Sequence, residues 1–274
     1  MNILELNDIV VTHRRSGAPP VRAVRGVSLA VEPGRIVGLV GESGCGKSSL
    51  ARVACGIEAP TSGTVQFEGR SLEPLRMRRR PLADRRLQMV FQNPYSSLSP
   101  RRTVGSQLLD GLAEPAARGG RAAEVSRLLE LVGLDASAAT RYPAQFSGGQ
   151  RQRLAIARAL AARPSLVVAD EPVTALDAFS SAQIVRLLQS LVAELGMGML
   201  FISHDLSLVR AIADETAVMY AGEIVERGPS EQLWQNPQHP YTRTLIAAIP
   251  EIGPAKKLPG LDEDFPLPTN GVPA

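Results

Sequence analysis

Cysteine is nearly absent: the 274-residue chain has two, Cys45 and Cys55. Two residues build no disulfide framework, and their spacing is not that of a metal site. Long apolar runs are missing as well. Residues 166–169 and 197–202 are apolar but of strand length, far short of the ~18 residues a membrane-spanning helix needs. The opening Met1-Asn2-Ile3-Leu4-Glu5 carries an early acid and no basic leader before an apolar block, so no secretory signal is expected. Together these absences predict a cytoplasmic chain. Aromatic residues make up 4% of the chain, and none interleaves with the arginines at 76, 78, 79, 80, 85 and 86. Single-stranded nucleic acid is therefore a poor partner for that cluster. The net charge is +3 at a pI of about 9.1. A solvated face is the preferred reading of the arginines, with an anionic lipid surface or nucleic acid as the sharper alternatives.

What is present begins with a phosphate-binding loop. Gly41, Glu42, Ser43, Gly44, Cys45, Gly46, Lys47 and Ser48 complete the pattern G-x-x-x-x-G-K-[ST]. An apolar run, Ile36-Val37-Gly38-Leu39-Val40, precedes it and suits a buried parallel strand. Ser49-Leu50-Ala51-Arg52-Val53-Ala54 follows it and suits the first turns of a helix. Between strand and helix the glycines let successive N–H groups turn toward one anion, and the helix N-terminus adds partial positive charge. Lys47 would reach the β/γ phosphates and Ser48 would offer a hydroxyl to Mg²⁺. Ser49 joins the loop among the nucleotide-binding residues. Cys45, beside a helix N-terminus, is expected to favour its thiolate.

The remaining chemistry-bearing residues recur at strand ends. Residues 2–6 and 9–11 read as two short strands, and Val27, Leu29 and Val31 alternate as a third. Leu87-Gln88-Met89-Val90-Phe91 is a further apolar strand ending at Gln92, either a Mg²⁺ ligand and water-orienting group or a polar strand terminus. Residues 102–162 are helical in texture. They end in Phe146-Ser147-Gly148-Gly149-Gln150, where Ser147 is a natural N-cap and two glycines expose backbone N–H groups. This is a second anion site without a lysine, unless it is simply a linker. Leu166-Val167-Val168-Ala169 is a buried strand closed by Asp170 and Glu171. Adjacent acids there need a cation: Asp170 would hold Mg²⁺ through water, and Glu171 would polarise the attacking water. Ala175-Leu176-Asp177 makes a tight loop before an amphipathic helix. His204 ends the strand at 199–203, where such sheets place ligands, which favours a γ-phosphate contact over a structural role.

In this order the motifs resemble the ATPase subunit of an ATP-binding-cassette (ABC) transporter. The segment Phe91–Pro100, the Tyr142-Pro143 pair and His239-Pro240-Tyr241-Thr242 are similar to the peptide/nickel importer branch. The resemblance implies an α/β fold of the P-loop NTPase kind: a RecA-like, mostly parallel sheet with an antiparallel β subdomain and an inserted α-helical subdomain. The ATPase domain would span residues 1–250, with its helical part at about 101–163, and residues 251–274 would form a Pro-rich tail. ATP and Mg²⁺ are the implied cofactors. Glu171 would be the general base, with Lys47, Gln92 and His204 beside it. Ser48, Gln92 and Asp170 would attend the metal.

The partners implied are a second cassette, a paralogue or a second copy, in a head-to-tail dimer; two integral membrane permeases, docked near residues 92–100; and, indirectly, an extracytoplasmic solute-binding protein. No nucleic-acid partner is implied, although a soluble cassette acting on DNA or ribosomes is the alternative. The location would be peripheral, on the cytoplasmic face of the inner or plasma membrane. In the dimer Ser147, Gly148, Gly149 and Gln150 of one subunit would close the other's ATP site, and Asp177 would communicate across. The chain departs from the family in three places. Phe146 replaces the usual leucine, the tail has no cysteine for an iron–sulfur cluster, and where the family has an adenine-stacking aromatic this region offers only His13, Arg14 and Arg15, of which His13 or Arg14 could stack.

Overall fold

A computed structural model describes residues 1–14, 17, 19–75, 81–93, 97–112 and 120–249. The Pro-rich tail, Arg15 and the arginines at 76 and 78–80 lie outside the described residues. Strands β1 (Leu4–His13) and β2 (Val21–Val31) pair antiparallel, and β3 (Ile36–Val40) leads into helix α1 (Lys47–Ala54). Strands β4 (Ser62–Phe67) and β5 (Arg70–Ser71) complete a sheet of order β2-β1-β4-β5. The two short strands expected at the N-terminus are one. Asp8 takes a left-handed φ of 50°, and the register slips between Leu6 and Ile9 without ending the strand.

The larger sheet adds β6 (Leu87–Val90), β7 (Leu166–Asp170), β8 (Gly198–Ser203), β9 (Glu215–Tyr220) and β10 (Glu223–Pro229). Its order is β10-β9-β3-β8-β7-β6, parallel throughout except for the edge strand β10. All five residues of β3 and all six of β8 are buried, which is why these strands read as unbroken apolar runs. Their alternation sends Ile36, Val40, Met199 and Phe201 into one core and Val37, Leu39, Leu200 and Ile202 into another.

The first core is roofed by helices α2 (Val104–Gly111), α3 (Arg121–Leu131) and α4 (Gly148–Leu160), followed along the chain by α5 (Ala178–Leu195) and α6 (Leu206–Ile212). Leu128, Leu129 and Leu154 are completely buried there. Arg153 ties α4 to the end of α3 by donating to the Val132 carbonyl at 2.8 Å. The second core lies between the large sheet, α1 and the antiparallel sheet. Helix α5 stops at Gly196, whose φ of 63° supplies the left-handed turn expected of a helix end. Two short helices, α7 (Ser230–Gln235) and α8 (Pro240–Ala247), follow β10. None of the described helices is long and apolar enough to cross a membrane.

Candidate functional site

Four adjacent parallel strands, β3, β8, β7 and β6, end on the same edge of the large sheet. The phosphate loop leaves β3, His204 follows β8, Asp170 and Glu171 close β7, and Gln92 lies beyond β6. Register keeps them level: Val40 pairs with Ser203, Asp170 with Ile202, and Val90 with Ala169. The carboxyl edge of such a sheet is where α/β folds bind ligands. Chain order scatters these residues, and strand pairing collects them.

The loop's glycines are there for two physical reasons. A Cβ at Gly41 would sit 2.1 Å from the Met219 carbonyl oxygen. A Cβ at Gly46 would sit 2.1 Å from that of Ala23, and its φ of 112° is left-handed besides. The antiparallel sheet and β9 thus press directly on the loop. Lys47, only 5% exposed, folds back and donates to the carbonyls of Gly41 at 2.7 Å and Glu42 at 2.9 Å. Glu42, Ser43 and Gly44 face solvent. Cys45 corrects the sequence-based expectation. Burial pushes its thiol above the ordinary value, outweighing the pull of Lys47, so the thiolate is disfavoured.

Ser48 Oγ lies 3.2 Å from Asp170 Oδ1. Burial, aided by the neighbouring Glu171, raises Asp170 above the usual carboxylate range in spite of that bond and of Arg52 and Lys47. A buried carboxylate held up in this way gains from a cation. The donors beside it are hydroxyl and carboxylate oxygens, the set that suits Mg²⁺. Among the described residues no group of three or more His, Cys, Asp or Glu could hold a metal alone. Gln92 is exposed beyond the end of β6.

Glu171 is 8% exposed and adopts a φ of 51°, a strained value for a side-chain-bearing residue. Its backbone N–H donates to the Ile202 carbonyl at 2.9 Å. His204 Nδ1 lies 2.6 Å from Glu171 Oε2, and the Thr174 hydroxyl donates to the same oxygen. Glu171 and His204 thus form a direct pair. Thr174 is an addition that only the folded chain discloses, because a threonine three residues past an acid carries no signal of its own.

Ser147, the N-cap of α4, accepts from the Gln150 N–H at 3.3 Å, and Gln150 returns the bond to the Ser147 N–H at 3.0 Å. Ser147 and Gly148 are exposed. A Cβ added at Gly148 would meet only Leu176, and at Gly149 only Ser180. The neighbours of the capped helix tip are thus Leu176 and Ser180. Asp177 N-caps α5, accepting from the Ser180 N–H at 2.9 Å and hydroxyl at 2.7 Å, and these bonds hold its carboxyl below the usual range. Phe146 is buried, with the Arg141 guanidinium 4.2 Å from its ring centre, so the aromatic is absorbed by packing. His13 is anchored to the first helix through Ser49 Oγ at 3.0 Å, with Glu58 at 3.4 Å on its other nitrogen. Arg14 beside it is exposed.

Of the segment expected to receive a permease, residues 94–96 lie outside the described residues. Beyond them buried Gln107 clamps the chain, accepting from the Ser99 N–H at 2.7 Å and donating to the carbonyls of Ser99 at 3.1 Å and Arg102 at 3.0 Å.

Comparison with known proteins gives the family of the chain. A family model described as ABC transporter matches residues 24–174, and one described as Oligopeptide/dipeptide transporter, C-terminal region, matches residues 225–271. The dipeptide transport ATP-binding protein DppF of Haemophilus influenzae is 46% identical over 254 residues, 91% of this chain and 78% of the relative. DppF of Escherichia coli is 44% identical over 257 residues, 92% of this chain and 77% of the relative. The oligopeptide transport ATP-binding protein OppF of Bacillus subtilis is 46% identical over 234 residues, 84% and 77% of the two chains. Among solved structures, a dimeric ATP-binding cassette in a post-hydrolysis state, bound to ADP and Pi, superposes with a TM-score of 0.72. It is 27% identical, and the match covers 83% of this chain and 98% of that one. A nucleotide-free cassette from an ABC transporter gives a TM-score of 0.74 at 25% identity, covering 89% and 98%.

Proposed function

This chain belongs to the ATP-binding-cassette family and carries the C-terminal region of oligopeptide and dipeptide transporters; from that premise we propose that it is the ATP-hydrolysing subunit powering uptake of short peptides, or a related small solute such as nickel, through partner permeases. The observation that carries the reading is the Glu171–His204 pair standing on the same sheet edge as the phosphate loop and the Ser48–Asp170 contact. Peptides are the favoured cargo because the relatives named above transport dipeptides or oligopeptides.

In this reading the loop's N–H groups and Lys47 hold the ATP phosphates, while Gly41–Ser49 and His13 line the nucleotide. Ser48, Asp170 and Gln92 hold Mg²⁺, which when bound neutralises charge on the β and γ phosphates. A water oxygen attacks the γ-phosphorus, Glu171 takes its proton, and ADP departs with the bridging oxygen. Both neighbours of Glu171 bond its Oε2, which leaves Oε1 for the water. The His204 side chain is 54% exposed, so its other ring edge is left to face the γ-phosphate.

The exposed, capped helix tip at Ser147–Gln150 serves in this reading as a second anion site. It completes the ATP site of a second cassette, a paralogue or another copy, arranged head to tail, with Asp177 at the same interface. Closure on ATP and opening after hydrolysis would move the permeases, which dock beside residues 92–100 at the cytoplasmic face. The ATPase domain is taken as residues 1–250. The alternative, a soluble cassette acting on DNA or ribosomes, gains no support from relatives that are peptide-transport proteins.

The deciding experiment is to purify the chain from membranes with its partners and measure ATPase. Co-purification with integral permeases, and turnover stimulated by a peptide-loaded binding protein, is expected. A chain that leaves the membranes without permeases and is stimulated by DNA or ribosomes would sink the proposal.

A further inference from the structure

We propose that Tyr241, from the C-terminal region, is a positioning residue for the phosphate loop: its hydroxyl fixes the peptide unit between Gly41 and Glu42 that Lys47 also grips. The geometry is specific. The Glu42 N–H donates to Tyr241 Oη at 3.2 Å, while Lys47 Nζ donates to the Gly41 carbonyl at 2.7 Å. That N–H and that carbonyl belong to one planar peptide. The two side chains therefore hold opposite edges of a single plate, and turning it would break both bonds. Lys47 also bonds the next carbonyl, that of Glu42, at 2.9 Å. The buried ammonium and the tyrosine hydroxyl thus set the loop's first turn between them.

The plate needs an outside anchor. Residue 41 has to be glycine, because any Cβ would strike the Met219 carbonyl at 2.1 Å. A glycine contributes no side chain that could restrain the peptide after it. Glu42 is exposed, so nothing packs over it to do so either.

Tyr241 is itself held firmly. It occupies the first turn of α8, and its N–H donates to Nδ1 of the N-cap His239 at 3.2 Å. Glu226 on β10 accepts from the N–H groups of Gln238 at 2.8 Å and His239 at 3.0 Å, which pins the turn before the helix. The Tyr241 ring lies 4.3 Å, centre to centre, from that of Tyr220 at the end of β9, tilted by 42°. Burial raises the phenol above its ordinary value, so it stays neutral across the working pH range. The His-Pro-Tyr run thus has a mechanical purpose: it carries one hydroxyl across 199 residues of chain to the start of the phosphate loop.

The inference rests on the proposed reading that this loop and Lys47 hold the phosphates of ATP. A loop that is pre-set binds without an ordering cost, so the tyrosine should act on nucleotide affinity and little on the chemical step.

The test is Tyr241→Phe, which keeps the ring contact and deletes the hydroxyl. Kd for a fluorescent ATP analogue is measured on the full chain, and KM and kcat on the purified transport complex. Loss of one such bond, partly replaced by water at exposed Glu42, should weaken binding and raise KM by about 2- to 10-fold. The value of kcat should stay within about twofold, and Tm should stay within ~2 °C. Tyr220→Phe, whose hydroxyl is not on the loop, should leave Kd unchanged. An unchanged Kd and KM in Tyr241→Phe overturns the inference. A fall of kcat and Tm together, with KM unmoved, overturns it as well, because that is a merely structural tyrosine. Lys47→Ala separates the two levels. If it abolishes analogue binding while Tyr241→Phe binds normally, only the inference fails; if Lys47→Ala binds like wild type, the reading beneath it fails.

Discussion

Replacing Glu171 by Gln should remove the base and leave its surroundings standing. Two neighbours, Thr174 Oγ1 and His204 Nδ1, share Oε2 of Glu171. A Gln carbonyl oxygen can serve both, which directs the amide NH₂ toward the position of the water. An NH₂ cannot take a proton, so the whole contribution of a general base is lost while the fold is kept. That contribution is about 10²–10⁴ in turnover, or ~2.7–5.5 kcal/mol on the barrier. Stability should not fall, because the substitution removes a like charge beside buried Asp170, where Glu171 already pushes the Asp170 carboxyl upward. Steady-state ATPase of the purified transporter, equilibrium ATP binding and thermal melting check the three parts. Turnover should drop by the stated factor, ATP affinity should hold within about twofold, and Tm should stay level or rise. Unchanged turnover would remove Glu171 from the role of base. Binding lost in proportion to turnover would make it a binding residue instead.

Cys45 labelling by a small alkylating reagent should be slower at pH 7 than that of a free thiol, because burial raises its pKa. The rate should climb with pH past the point where a free thiol has levelled off, and ATP should slow it further; a fast reaction at pH 7 that is indifferent to ATP contradicts the placement. Ser147→Ala removes one half of a reciprocal helix cap, worth about 0.5–2 kcal/mol locally. It should leave ATP binding by the isolated chain unchanged while lowering turnover of the assembled transporter, and equal turnover would argue against a site completed by the partner. In EDTA, Asp170→Asn should melt higher than wild type at neutral pH. The folded pKa of Asp170 is raised, so its ionised form weighs against the folded state at high pH and that penalty disappears as the pH falls through the folded value. The Tm gap should therefore close toward pH 4, and a gap that widens on acidification would reverse the sign.

Local chemistry made much of the site legible in the sequence. A phosphate loop needs glycines and a lysine in register, and an acid pair closing an apolar strand calls for a cation. Both signals sit within a few consecutive residues. The strands β3, β7 and β8 were legible for the same reason, since burial on both faces leaves only apolar residues to choose from. The N-terminal strand was misread as two because Asn7-Asp8 looks like a turn, whereas pairing with β2 and β4 on either side carries the chain through as a bulge. The Cys45 thiol departs from expectation because a helix N-terminus is visible in the sequence and burial is not.

What stayed hidden is contact between distant segments, and there the fold adds meaning to residues already noticed. His239, Pro240, Tyr241 and Thr242 mark a branch of the family when read as letters. Placed by β10 and α8, they become an arm that reaches the first peptide of the phosphate loop. Ser147 reads as a helix cap, and the fold leaves that cap exposed at the tip of α4, beside Leu176 and Ser180. In the proposed dimer the phosphate loop and the Ser147 helix tip each supply half of a pocket, and two chains arranged head to tail would make two whole ones. Under that proposal ATP would itself be the adhesive between cassettes, so hydrolysis and separation of the pair would become one event, as a permease requires of its motor.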